Sequence, residues 1–438
     1  MLLRPRISLL RLTTISPHLT STNHCNNQSS SLKAIHKPAT AQQLKHIHTP
    51  SPTLNMYANA NFTNGAHPAA STSRNTWESP GPAAFDLRSD VVTTPTAAML
   101  TAISQTTLLD DVFLEDPTTA SLESLISSLT GHPAALLVLS GTMGNQVALR
   151  THLSAPPHAV LCDARSHVMQ YEAGGVASLC GALVQAVVPA NGKYITAEDV
   201  QRHAVVSEDV HACPTRVIAL ENTLNGTIMP LAEVREIAAW AREHGIIVHM
   251  DGARLWEAVA AGAGSLEEYC REVDSLSLCF SKGLGAPIGS IIVGSEKFIK
   301  RARWIRKSIG GGLRQAGVVA APARVAVEET YLGGKLKQSH LSAKRIAKIW
   351  QDLGGKMTYP VDTNMVWLNL SPHGVQTNDF IMLAEKYGLR IMGERLVVHY
   401  QISDEAIARL EQLFIEVLKG EAGNAKKRKT EIDSGNIK

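Results

Sequence analysis

The sequence predicts an α/β protein with a parallel sheet covered on both faces, and three observations carry that prediction. Apolar runs at Val217–Leu220, Ile246–Met250 and Leu276–Phe280 end thirty residues apart, the length of a strand-helix-strand unit. Between the first two, Leu231, Val234, Ile237, Ala238 and Ala241 fall on one helical face, and Gly245 follows as a stop signal. Charged and small residues stand just past the carboxyl ends of these runs, where ligands bind in such sheets.

The chain has 438 residues, enough for more than one domain, with 42 Lys and Arg against 39 Asp and Glu. That +3 balance is unevenly spread. Residues 1–77 hold seven basic residues and no acidic one, and open MLLRPRISLLRL, where arginines alternate with apolar residues over one amphipathic turn pattern. This is the composition of a mitochondrial transit peptide, with a cytoplasmic protein starting at Met56 as the alternative. Residues 420–438 carry Lys426-Lys427-Arg428-Lys429; a solvated, disordered tail explains them better than a nuclear import patch. Residues 78–419 are left with a net charge of −6, so no nucleic-acid partner is expected. No apolar run approaches the ~20 residues of a membrane span. The six cysteines form no C-x-x-C pair and do not cluster with histidines, which argues against a metal site and a disulfide framework.

The residues at the strand ends point to a specific chemistry. After the strand-like Leu136–Leu139, Ser140-Gly141-Thr142-Met143-Gly144 leads into a helical pattern, so backbone N–H groups at a helix N-terminus face outward for an anion. Asp251 ends the run GIIVHMD, with Gly252 leaving room and Arg254 three residues on. Lys282 follows the next run, between Ser281 and Gly283. An anion cup, an aspartate and a lysine at successive strand ends are the parts that hold pyridoxal phosphate. The cup takes the phosphate, the aspartate keeps the ring nitrogen protonated by an opposite charge, and the lysine binds the aldehyde carbon. His167 is the candidate to stack on the flat ring, with Tyr171 four residues on.

Eight motifs in this order, FDLRSDVVTTPT, DDVFLEDPTTASLE, LSGTMGNQVAL, SHVMQYEAGG, ENTLNGTIMPL, DGARLWEA, SKGLGAPIGS and RKSIGGGLRQAG, resemble the threonine aldolase family from Phe85 to His399. The resemblance implies Lys282 as cofactor lysine, Asp251 on the ring nitrogen, Gly141 and Thr142 on the phosphate and His167 on the ring. It further implies Ser89 and Arg254 on the substrate carboxylate, with Arg395 of ERLVVHYQI as a second arginine there and Tyr171 beside the substrate. Arg306, Lys307 and Arg314 are candidate phosphate contacts, within the subunit or across a subunit interface, and no metal is implied. The implied fold is aspartate aminotransferase-like, fold type I: a large mixed or parallel-sheet domain over residues 94–324, and a smaller α/β domain from 85–93 and 325–419. A homotetramer is implied.

The implied reaction is retro-aldol cleavage of L-threonine or L-allo-threonine to glycine and acetaldehyde, serving threonine breakdown or glycine supply. A departure stands at Leu224, where many family members have a histidine near the substrate hydroxyl; leucine moves no proton. His167 then carries the base role, or the pocket serves another substrate or bond. An alanine-type racemase or β-eliminating lyase is the alternative within enzymes, and a non-catalytic binding protein the alternative outside them.

Overall fold

The computed structural model describes residues 77–418, so the expectations for 1–76 and 419–438, leader and tail, lie outside the described residues. Seven strands form the main sheet: β1 (Ala134–Val138), β2 (Ala159–Asp163), β3 (Leu183–Val187), β4 (Thr215–Glu221), β5 (Ile247–Asp251), β6 (Ser275–Cys279) and β7 (Ser290–Gly294). Their spatial order is β1-β7-β6-β5-β4-β2-β3. Every residue of β2, β6 and β7 is buried, the mark of a sheet covered on both faces.

The sheet is mixed, one of the two forms expected for the large domain, and a single strand breaks the parallel pattern that the thirty-residue spacing implies. β7 runs antiparallel to both β6 and β1, while β2 through β6 pair in parallel. Residues 280–289 are too few for the helical crossover that a parallel return requires, so the chain doubles straight back. That short return carries Lys282.

Local signals set the covering helices. Pro117–Thr130 starts on Asp116, whose carboxylate accepts the Thr118 and Thr119 N–H groups, and stops at Gly131 with a left-handed φ of 71°. Leu231–Glu243 buries Val234, Ile237, Ala238 and Ala241, the face read from spacing. Gly141–His152 starts on Ser140, whose hydroxyl accepts the Met143 N–H at 3.1 Å.

A second, antiparallel sheet is formed by β8 (Lys356–Met357), β9 (Met365–Asn369) and β10 (Arg395–Val397), with β9 central. Its core joins Trp350 of the helix Lys335–Asp352, Phe380 of Thr377–Lys386 and Phe414 of the helix 404–418 to Val366, Leu368 and Leu396. Leu87 is fully buried in this cluster; its N–H donates to Arg390 and its carbonyl accepts the Val397 N–H, both at 2.8 Å. The start of the described chain is thereby sewn to its C-terminal part. The two sheets meet where the Trp367 indole donates to the Asn225 carbonyl at 2.9 Å and the Thr363 hydroxyl to the Gly226 carbonyl at 2.9 Å.

Candidate active site

Asp251, the last residue of β5, is buried at the carboxyl edge of the sheet. Its Oδ1 accepts the Ala253 N–H at 2.9 Å and its Oδ2 the Asn145 amide at 2.7 Å. Burial alone would push its carboxyl up. The charges of Lys282 and His167, with those two hydrogen bonds, hold it below its ordinary value instead, so it stays anionic.

His167 opens a single helical turn, and its Nδ1 meets Glu172 Oε1 at 2.9 Å. Its own N–H donates to Glu221 Oε2 at 2.7 Å. Ligand atoms of His167, Glu172 and Asp251 all lie within 4.8 Å of one another, a donor set a cation would suit. Asn145 puts N–H donors onto both carboxylates, however, at 2.8 Å to Glu172 and 2.7 Å to Asp251, directions that a cation would need. Glu221 ends β4 in register with Asp251; burial and that neighbouring charge push its carboxyl up to about 8.

Lys282 sits in the β6–β7 return. Its carbonyl accepts from the Thr93 hydroxyl at 3.1 Å and the Gly285 N–H at 2.9 Å. Two glycines let the return lie this close: a Cβ at Gly283 would stand 2.5 Å from Glu257 Oε1, and Gly285, at φ +89°, abuts the Tyr400 hydroxyl. The cup beside it has the same economy. A Cβ at Gly141 would come within 2.8 Å of Cys279 Sγ, so the helix N-terminus at Gly141 and Thr142 rests directly on the end of β6.

A chain with an anion-ready helix N-terminus, an ionised buried aspartate, a histidine and a lysine at one sheet edge matches the beta-eliminating lyase family over residues 86–372. It belongs to that family. Among its relatives, an aldolase of Penicillium aethiopicum is 60% identical, the match covering 78% of this chain and 88% of that one. An alanine racemase of Cochliobolus carbonum is 44% identical over 79% and 90% of the two chains. A low-specificity L-threonine aldolase of Candida albicans is 46% identical over 76% and 90%. Among solved structures, the Leishmania major threonine aldolase superposes with a TM-score of 0.66 at 19% identity, covering 76% of this chain and 99% of that one. The shared architecture is fold type I, aspartate aminotransferase-like.

The other sequence-named residues of this beta-eliminating lyase family chain fall into two groups. Arg254 has two of its three nitrogens engaged: its Nε and Nη2 grip Asp90 at 2.8 and 2.7 Å, leaving Nη1 as the edge that could meet a carboxylate. Burial raises the cost of the Asp90 charge, yet Arg254 outweighs it and brings that carboxyl down to about 2. Ser89, next to Asp90, accepts the Val91 N–H at 3.4 Å. Arg395 opens β10 and donates to the carbonyl of Arg88 at 3.4 Å, with its guanidinium 5.9 Å from the Trp367 ring centroid. The segment 88–90 thus gathers Ser89, Arg254 and Arg395. Tyr171 is half exposed, its ring tilted 51° and 5.7 Å from that of His167. Leu224 is buried, 4% exposed, in the turn it bridges with Thr227.

The GGG motif lies against the start of the cup helix: a Cβ at Gly311 would stand 2.9 Å from Met143 Sδ. Arg314 pairs with Asp110 at 2.8 Å and lies 5.6 Å from the Phe113 ring centroid, on an exposed loop. Arg306 is buried, donating to the Leu137 carbonyl at 2.6 Å and to Asp111 at 2.7 Å; it is a strut between β1 and the 110–116 loop, not a phosphate contact. Its spacings of eight and four from Phe298 and Ala302 put it on the buried stripe of its helix, a signal that was readable. Lys307 packs beside Gly312.

Proposed function

We propose that this chain is a pyridoxal phosphate-dependent carbon–carbon lyase that cleaves L-threonine and L-allo-threonine to glycine and acetaldehyde. The observation that carries the reading is the convergence of Asp251, His167 and Lys282 at one sheet edge, beside the Gly141 cup. The site fits the cofactor on two structural grounds. Gly141, with no Cβ to strike Cys279, lets the helix N-terminus seat on the end of β6 at the same edge as Asp251, and Asp251 is kept anionic in a buried setting that calls for a cation opposite it. Gly141 and Thr142 would hold the phosphate, Asp251 the ring nitrogen, His167 the ring face and Lys282 the aldehyde carbon.

When bound, pyridoxal phosphate supplies an electron sink for the pair left on the α-carbon as the bond to the β-carbon breaks. The chain's own residues do the rest. Ser89, Arg254 and Arg395 bind and orient the substrate carboxylate, which selects the α-carbon bond that breaks. Glu172 accepts from three side chains, so His167 Nδ1 carries the proton and Nε2 is left to take one from the substrate hydroxyl. Glu172 and Asp251 together raise the proton affinity of His167 above its ordinary value against the effect of burial. Leu224 offers carbon only, so no second base stands there.

The similarity to an alanine racemase, together with Leu224, favours one second reading: proton transfer at the α-carbon of alanine. Product analysis separates the two. Incubation with L-threonine, L-allo-threonine and L-alanine is expected to give glycine and acetaldehyde from the first two and no D-alanine from the third. D-alanine without acetaldehyde would reverse the assignment. Leu224→His, restoring a proton carrier, is expected to change the ratio of kcat/KM for the two threonine diastereomers by about tenfold or more. An unchanged ratio would remove Leu224 from the hydroxyl side of the pocket.

Two further readings have support of their own. The exposed Leu108, Phe113, Leu114 and Trp304 support a closed oligomer, a homotetramer. The acid-free segment 1–77 supports a mitochondrial destination, where the reaction would serve threonine breakdown and glycine supply.

A further inference from the structure

Asn145 makes every hydrogen bond its side chain allows, and all four lie beneath the site. It is fully buried on the helix Gly141–His152, one turn in from the cup. Nδ2 donates to Glu172 Oε1 at 2.8 Å and to Asp251 Oδ2 at 2.7 Å. Oδ1 accepts from Ser277 Oγ at 2.7 Å and meets His249 Nε2 at 3.2 Å. An amide oxygen only accepts, so His249 carries its proton on Nε2 and its Nδ1 accepts from Ser275 Oγ at 2.8 Å. Ser275 Oγ in turn accepts from His152 Nε2 at 2.7 Å. The chain of groups thus has one consistent polarity, running from His152 across the sheet to the two carboxylates.

None of the groups behind Asn145 carries a charge. Burial pushes His249 down to about 4 and His152 to about 3, the Asp251 charge only partly opposing this for His249. A neutral amide delivers N–H groups to two carboxylates without neutralising either. The positive charge that Asp251 requires therefore comes from the open side of the site.

We propose that Asn145 is a positioning residue for the cofactor ring: one side chain ties the carboxylate that meets the ring nitrogen, Asp251, to the carboxylate that aims the stacking residue, Glu172. This rests on the functional reading above. Asn145 thereby fixes the approach to the ring's edge and to its face together, and it does so from the same helix whose N-terminus forms the cup.

The test compares wild type, Asn145→Asp and Ser277→Ala. Asn145→Asp keeps the size of the side chain and replaces the two N–H donors with a carboxyl set against Glu172 and Asp251; Ser277→Ala removes only the support of Oδ1. Apoprotein is titrated with pyridoxal phosphate by equilibrium dialysis, the absorbance band of the bound cofactor is recorded, and kcat and KM are measured on L-threonine. Asn145→Asp is expected to weaken cofactor binding about tenfold or more, as loss of hydrogen bonds to charged groups does. It is also expected to move the absorbance band, and to lower kcat while KM stays within about threefold. Ser277→Ala should move the band in the same direction with a smaller loss of affinity. A folded Asn145→Asp protein with wild-type affinity and band would overturn the inference. Should Asn145→Asp fail to fold, an unmoved band in Ser277→Ala overturns it. Failure of the wild-type chain to take up pyridoxal phosphate would overturn the functional reading itself.

Discussion

Lys282→Ala is expected to lower acetaldehyde release from L-threonine by about ten-thousand-fold while leaving thermal unfolding close to wild type. The large effect follows from the double use of one amine, which binds the cofactor carbon and is placed to move protons beside it. The small structural effect follows from what holds the return in place. The Lys282 backbone carbonyl is bound by Thr93 and Gly285, and its ammonium makes no hydrogen bond among the described residues. Alanine keeps the backbone contacts. Steady-state assay and a melting curve check both halves, and a variant retaining more than about a tenth of wild-type turnover would remove Lys282 from the chemistry.

Asp90→Ala is expected to have the largest effect on stability, about 3 kcal/mol in urea unfolding, because it leaves the Arg254 guanidinium without its buried partner. The Asp90 side chain is fully buried and that of Arg254 is 17% exposed, so water can do little to replace the pair. The acid limb of the wild-type protein should report the same contact. The folded-state carboxyl is down at about 2, below its unfolded value, so its stabilisation is complete above about pH 4 and is lost as pH falls through about 2. That limb, worth about 2 kcal/mol, should be missing from Asp90→Ala. Equal acid sensitivity in the two proteins would show that the Arg254 pair is not what sets Asp90's proton affinity. The variant is also expected to loosen the 88–90 segment and so raise KM.

Much of the large sheet was readable because each strand is an apolar run closed by a small or charged residue. Asp251 and Lys282 were readable for the same reason: each is the first charge after such a run, and their order along the chain is the order of their strands in space. Asp90 was not, since its partner lies 164 residues away and nothing in DLRSD distinguishes one aspartate from another. Glu172 and Asn145 were missed because a polar residue in a turn or a helical pattern reads as solvated until the packing shows it buried. Arg306 failed in the opposite sense, read as a candidate phosphate contact although it stands on the buried stripe of its helix. The direction of β7 was recoverable from a length alone, ten residues between Cys279 and Ser290 being too few for a crossover.

The helix Gly141–His152 serves as a ruler. Its N-terminus and Asn145 are four residues apart, about 6 Å along the axis at the rise of an α-helix. A ruler of this kind has no fractional settings. One residue inserted or deleted between Gly141 and Asn145 would swing the amide about 100° around the axis and carry it away from both carboxylates. Length variation in descendants of this gene should therefore be barred from 141–145 and find room instead at the loop 206–211, where every residue is exposed and no reacting group takes its position from the spacing.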